Sequence, residues 1–177
     1  MNYQITLNGK DVTLATEVGT RRNESNIRWQ SKNLKVSKRP DEEIHIDGFA
    51  GEVSFVRITE HVAKNFGCEI DLDDTHSIED TLINNDVTVD VKTYVLDTSN
   101  LLVPVHKKNK ACEIYVLMTG SLPTFTFRGW ISGKELFATE PVRYPTTIFN
   151  YSIPQNQLRD PRELLCTTPD RVRLLIE

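Results

Sequence analysis

Thr88-Val89-Asp90-Val91-Lys92-Thr93-Tyr94 is the stretch on which the reading of the fold turns. Its β-branched residues favour an extended strand, and residues two apart on a strand share a face. Asp90 and Lys92 therefore project together, while Val89, Val91 and Val95 point the other way. One face is apolar; the other carries a carboxylate beside an ammonium.

Short apolar runs separated by turn residues surround this strand: Cys68 to Leu72, Ile78 to Ile83, Leu101 to Val105, Cys112 to Thr119 and Thr124 to Ile131. With Val87 to Leu96 they predict a sheet. Ahead of them, Phe49, Val53, Val56, Val62, Ala63 and Phe66 recur at helical spacing, predicting a helix over 47–66 with Asp47 as N-cap and Glu52 in its first turns. A polar helix is predicted over 15–29, followed by a basic, mobile loop over 30–43. At the start, Tyr3 to Leu7 and Asp11 to Leu14 read as a β-hairpin turned at Asn8-Gly9. Short helices are predicted over Ser132 to Phe137 and Pro154 to Leu165, the latter punctuated by Pro161. The order of helix, strands and then helices predicts an α/β (α+β) fold with a mixed sheet.

A chain of 177 residues suits one domain able to bury a core without disulfide or metal staples. It divides into a hairpin and basic segment over 1–43, a core over 44–140 and a C-terminal helical segment over 141–177. The mean hydropathy of -0.38 predicts a soluble protein. Met1 to Gly9 has no basic or apolar targeting region, and no run approaches the roughly 20 apolar residues of a membrane span. A cytoplasmic protein with no membrane partner is expected. Cys68, Cys112 and Cys166 are odd in number and far apart, which predicts buried free thiols.

The net charge of -4 conceals an asymmetry along the chain. Arg21, Arg22, Arg28, Lys32, Lys35, Lys38 and Arg39 lie together with Glu24 the only acid among them, and Lys107, Lys108 and Lys110 form a second cluster. From Asp41 to Asp90 carboxylates prevail against only Arg57 and Lys64. A cation-binding centre beside a phosphate-binding surface has this distribution, with Arg21, Arg22, Arg28, Lys107 and Lys108 as candidate phosphate contacts. Solvated surface has it as well.

A turn between the two apolar runs decides which acid joins Asp90. If Asn84-Asn85-Asp86 form the loop, Ile83 faces Val87 and Asp80 falls opposite Asp90; a two-residue turn at Asn84-Asn85 substitutes Glu79. Asp74 and Asp86 are weaker candidates. Two adjacent carboxylates repel unless a cation such as Mg²⁺ neutralises them with hard oxygen ligands. Such an ion polarises a phosphoryl oxygen and lowers the pKa of bound water, while Lys92 orients that water or stabilises charge on the phosphate. Glu52 would assist if its helix packs beside the sheet. An ordinary surface salt-bridge ladder is the competing reading.

Glu52, the acid at Asp80 and Val89-Asp90-Val91-Lys92-Thr93, in that order, resemble the PD-(D/E)XK nuclease superfamily. Gly48-Phe49-Ala50-Gly51-Glu52-Val53, Leu101-Leu102-Val103-Pro104, Glu113-Ile114-Tyr115-Val116-Leu117 and Arg128-Gly129-Trp130-Ile131-Ser132 with Glu135-Leu136 look like small phage-encoded members. The likeness extends over about 20–165. It implies a restriction-endonuclease-like central mixed sheet flanked by helices, Mg²⁺ or Mn²⁺ dependence, and hydrolysis of nucleic acid, DNA first. It makes Asp80, Asp90, the Val91 carbonyl and Glu52 metal-binding groups, Lys92 the catalytic lysine and the host cytoplasm the setting. The sequence departs from the pattern at Glu79, where a proline is usual, and at Cys112-Glu113, where an aspartate is commoner. A noncatalytic phage structural or accessory protein on a nuclease-like fold is the alternative, and a homo-oligomer stays open.

His45, His61, His76 and His106 lack zinc-ligand spacing and read as surface or satisfied core residues, His106 also as a phosphate contact. Trp29, Trp130, Phe125 and Phe127 read as core or as base-stacking platforms.

Overall fold

The computed structural model describes residues 3–28, 39–66, 72–73, 81–83, 87–144 and 148–165. The Thr88 to Tyr94 stretch lies in a strand, β4 (Val87–Tyr94), inside a six-stranded mixed sheet of order β1-β7-β6-β4-β3-β2. Its other strands are β1 (Gln4–Thr6), β2 (Leu72–Asp73), β3 (Thr81–Ile83), β6 (Ile114–Ser121) and β7 (Thr124–Ser132). Only β4 and β6 run parallel; the remaining pairs are antiparallel. The α/β (α+β) class and the mixed sheet are as the sequence predicts.

Alternation sorts the sheet into two apolar layers. Val87, Val89 and Val91 of β4, Ile114, Val116 and Met118 of β6, and Phe125 and Phe127 of β7 pack with Ala50, Val53, Phe55 and Ile58 of α2 (Asp41–Phe66). α1 (Gly9–Arg28) packs on α2. On the opposite face, Tyr115, Leu117 and Ile131 pack with Leu101, Val103, Tyr151 and Ile153. Those four belong to a second, three-stranded sheet of order β5-β9-β8, formed by β5 (Leu101–Pro104), β8 (Val142–Arg143) and β9 (Phe149–Ile153). The order is therefore helices, large sheet, small sheet. A 3-10 turn (Val105–Lys110), α3 (Gly133–Ala138), a 3-10 turn at Gln155–Gln157 and α4 (Pro161–Leu165) complete the described elements.

A bulge changes the phase of β7. Leu117 pairs with Gly129 but Met118 with Phe127, so Arg128 is the extra residue. Gly129 accommodates the kink with φ 155°, and beyond it the even-numbered Trp130 takes over the helix-facing role of Phe125 and Phe127. Arg128 is freed to donate from Nε to Thr119 Oγ1 at 2.6 Å and to pair with Asp97 at 2.6 Å. That pairing holds the Asp97 carboxyl below its ordinary range.

Four sequence expectations are corrected here. The hairpin at Asn8-Gly9 does not form: β1 pairs with β7, and Asn8 Oδ1 accepts from the backbone N–H groups of Lys10 (2.9 Å) and Asp11 (3.1 Å). Asparagine suits turns and helix N-termini alike, and here tertiary contact selects the helix. Asp11, buried at its start, pairs with Arg57 of α2 at 2.9 Å. α2 begins at Asp41, which removes 41–43 from the expected loop, and Asp47 is no N-cap. Its buried carboxylate instead accepts from Arg39 (2.6 Å) and from the Leu122 backbone N–H (3.2 Å), fastening α2 to the β6–β7 turn. In the C-terminal segment, expected to be helical, β8 and β9 are strands, and among the described residues only the short α4 and one 3-10 turn are helical.

Layer spacing is set by two glycines. A Cβ on Gly19 would meet the Ile46 backbone across the α1–α2 crossing, and one on Gly51 would land on the Thr93 hydroxyl of β4. Gly51→Ala should therefore destabilise the protein by about 1–3 kcal/mol through overpacking, and Thr93→Ala in the same chain should recover part of that loss. Urea titration of the two single variants and the double variant measures the coupling.

Candidate functional site

Thr93 donates from Oγ1 to the Gly48 carbonyl at 3.5 Å, so odd-numbered residues of β4 face α2. Thr88, Asp90, Lys92 and Tyr94 consequently face the small sheet. There Lys92 Nζ donates to both oxygens of Asp90 at 2.6 Å, with side-chain exposures of 21% and 15%. The expected carboxylate and ammonium are thus adjacent and largely withdrawn from water. Tyr94 closes one side, donating from its hydroxyl to the Leu102 carbonyl of β5 at 3.2 Å. Desolvation first, and the Asp90 charge second, push its phenol far above the ordinary value.

The start of β4 is held by a group that sequence reading assigned no such role. Glu113 accepts at Oε2 from the Thr88 backbone N–H, and Thr88 Oγ1 accepts from the Glu113 backbone N–H, both at 3.0 Å. The only prior signal was an acid immediately before an apolar strand. Asp90 pairs across the parallel ladder with Tyr115, and Val91, whose carbonyl was a candidate ligand, with Val116.

β3 pairs Ile83 with Val87, Leu82 with Thr88 and Thr81 with Val89, the register of the three-residue loop. Asp80, the acid expected opposite Asp90 in that register, lies outside the described residues, as do Glu79, Asp74 and Asp86. Among the described residues no group of three His, Cys, Asp or Glu side chains is placed to hold a metal ion. Asp90 and its lysine alone do not make a Mg²⁺ donor set.

Glu52 is not brought to Asp90. It lies on α2, on the far side of the sheet, and binds Arg22 of α1 through two hydrogen bonds of 2.8 and 3.1 Å. Arg22 also stacks over Phe49, its guanidinium carbon 4.7 Å from the ring centroid. Glu52 and Arg22 therefore join the two helices, away from Asp90. The cause is the Gly51 contact with Thr93, which turns the neighbouring Glu52 away from the strand. Arg21 lies exposed on the same helix 3.7 Å from Glu17, and Arg28 is exposed at its end. The α1 arginines thus lie on the helical side, while Lys107 and Lys108 stand exposed on the 3-10 turn, on the side of the small sheet.

Trp130, Phe125 and Phe127 are core residues, and Trp130 Nε1 donates to the Asp160 carbonyl at 3.2 Å, so they offer no stacking platform. His45 meets Asn26 at 2.9 Å, and His61 and His106 are exposed. Cys112 is a buried free thiol. Trp29, His76, Cys68, Cys166, Lys32, Lys35 and Lys38 lie outside the described residues. No helix among the described residues is long and apolar enough to cross a membrane.

Residues 3–169 match the model of a family described as "Family of unknown function (DUF5843)", and the chain belongs to that family. No curated protein and no solved structure matches it.

The Tyr94 phenol gives the site an alkaline signature. A folded-state pKa above the unfolded value of 10.0 means that its contribution is complete below pH 10.0 and is lost as pH rises through the folded-state value. Stability measured by denaturant titration should fall from about pH 10 upward. Tyr94→Phe should flatten that fall and, for the lost hydrogen bond, cost about 1 kcal/mol at pH 7.

Proposed function

We propose that the chain is a metal-dependent phosphodiesterase acting on nucleic acid, DNA first, with its centre at Asp90 and Lys92. The observation that carries this reading is the half-buried Asp90–Lys92 pair, an acid and an ammonium held together on one face of β4. A charge pair of no use is unfavourable in such a place, because desolvation offsets much of the mutual attraction. The resemblance of the Val89 to Thr93 segment to PD-(D/E)XK nucleases supplies the reaction class and the expectation of Mg²⁺ or Mn²⁺. In this reading Lys92 donates to a phosphoryl oxygen as negative charge builds there. Asp90 fixes the ammonium and accepts a hydrogen bond from the attacking water.

One observation favours a noncatalytic protein instead. Asp90 is matched by Lys92 and Glu52 by Arg22, so neither acid requires a cation to offset it. On that reading the protein is an accessory or structural component and the pair on β4 is a structural joint.

Incubation with supercoiled, linear duplex and single-stranded substrates in Mg²⁺, Mn²⁺ or EDTA separates the two. The phosphodiesterase reading expects cleavage that EDTA stops and Asp90→Asn abolishes. Lys92→Ala should lower kcat by about 10²–10³-fold with KM little changed. Asp90→Asn leaves Lys92 unmatched, so its assay belongs below its own melting transition. Absence of cleavage by the wild-type chain in either metal establishes the noncatalytic reading.

Glu52→Gln should leave turnover at the wild-type level while lowering stability by roughly 1 kcal/mol or less, since the ion pair with Arg22 is partly exposed. A large drop in kcat for that variant would return Glu52 to the reacting centre.

A further inference from the structure

The 3-10 turn Val105–Lys110 carries three lysines, all exposed, and none of Lys107, Lys108 and Lys110 is ion-paired among the described residues. In a 3-10 helix residues three apart eclipse one another and rise about 2 Å each, so Lys107 and Lys110 line one edge about 6 Å apart along the axis. That is close to the interval between successive phosphates of one nucleic-acid strand. Lys108 lies a third of a turn away, its Nζ 6.0 Å from the Phe137 ring centroid. The turn packs on β5 and β9, and the chain leaving it reaches β4 through the paired hydrogen bonds of Thr88 and Glu113. The lysines therefore stand on the same side of the large sheet as Asp90 and Lys92.

We propose that this turn is the landing site for the phosphodiester backbone of a single nucleic-acid strand, with Lys107 and Lys110 on consecutive phosphates. Two features select one strand over a duplex. A duplex presents two backbones across a groove and needs cations for both, whereas this edge is one row, and the α1 arginines are on the helical side of the sheet. Asp90 and Lys92 are also recessed, at 15% and 21% exposure, within reach of a strand that can bend inward but not of a stiff double helix. Evenly spaced phosphates fit the eclipsed pair better than the irregular carboxylates of an acidic peptide. Delivery of the strand to Asp90 and Lys92 rests on the phosphodiesterase reading; the backbone contact does not.

The test is binding in EDTA, where turnover does not intrude, followed by fluorescence anisotropy of a labelled single-stranded oligonucleotide, the same sequence as duplex, and polyglutamate, over a series of salt concentrations. The wild-type chain should bind the single strand several-fold more tightly than the duplex and polyglutamate hardly at all. Lys107→Gln/Lys110→Gln should weaken binding and flatten the slope of log K against log salt by about 0.7 for each lost phosphate contact. Lys107→Arg/Lys110→Arg should restore the slope, and Arg21→Gln/Arg28→Gln should leave it unchanged. Equal slopes for the wild-type and glutamine chains, or equal flattening by the α1 variant, overturn the site. Duplex binding as tight as single-strand binding overturns the choice of strand, and equal affinity for polyglutamate overturns the choice of phosphate. Intact binding without cleavage by the wild type retires the catalytic reading alone.

Discussion

The contact between Gly51 of α2 and Thr93 of β4 fixes the relation of helix to sheet, and the rest of the structure follows from it. A helix this near a strand excludes water from that side, so the residues sharing the face of Thr93 must be apolar; Val87, Val89 and Val91 are. Every charged group of β4 is then forced to the other face. On that face Tyr94 bonds to β5 of the small sheet, and Asp90 and Lys92 meet. A side chain at Gly51 would disturb both layers at once.

Around that contact, ionic groups act as joints between elements rather than as ornaments of the surface. Asp11 with Arg57 and Glu52 with Arg22 tie α1 to α2, Asp47 ties α2 to the β6–β7 turn, and Arg128 with Thr119 and Asp97 ties the bulge to the loop after β4. Most are partly exposed, so each contributes little alone. Their value is orientation: a carboxylate that accepts two hydrogen bonds from a guanidinium allows one geometry, where apolar packing tolerates several.

The alternation in Thr88 to Tyr94 was legible because a strand's two faces are a local property, and it foretold the adjacency of Asp90 and Lys92. Of the two pairings the sequence leaves open, the strands take the one with Ile83 opposite Val87. The placement of Glu52 away from Asp90 was not legible, because a helix's rotation about its axis depends on what it packs against, here Thr93, which no spacing within the helix reveals. Asn8 failed for a different reason: its side chain satisfies a turn and a helix end equally, and burial of Asp11 against Arg57 decides between them. The Phe149 to Ile153 strand did carry a signal, apolar residues alternating with Asn150 and Ser152, hidden by a helical reading of the segment that follows. Its partner β8 has only two residues, too few for any pattern.

The small sheet joins strands that are far apart in the chain: Leu101 and Val103 of β5 pair with Ile153 and Tyr151 of β9. A chain emerging from the ribosome has β4 to β7 in hand, and the helical side ready to close, before β9 exists. Until it arrives, Tyr115 and Leu117 lack their cover and β5 offers a bare edge, the sort of surface that invites mispairing or a chaperone. The two halves of the core therefore mature at different times.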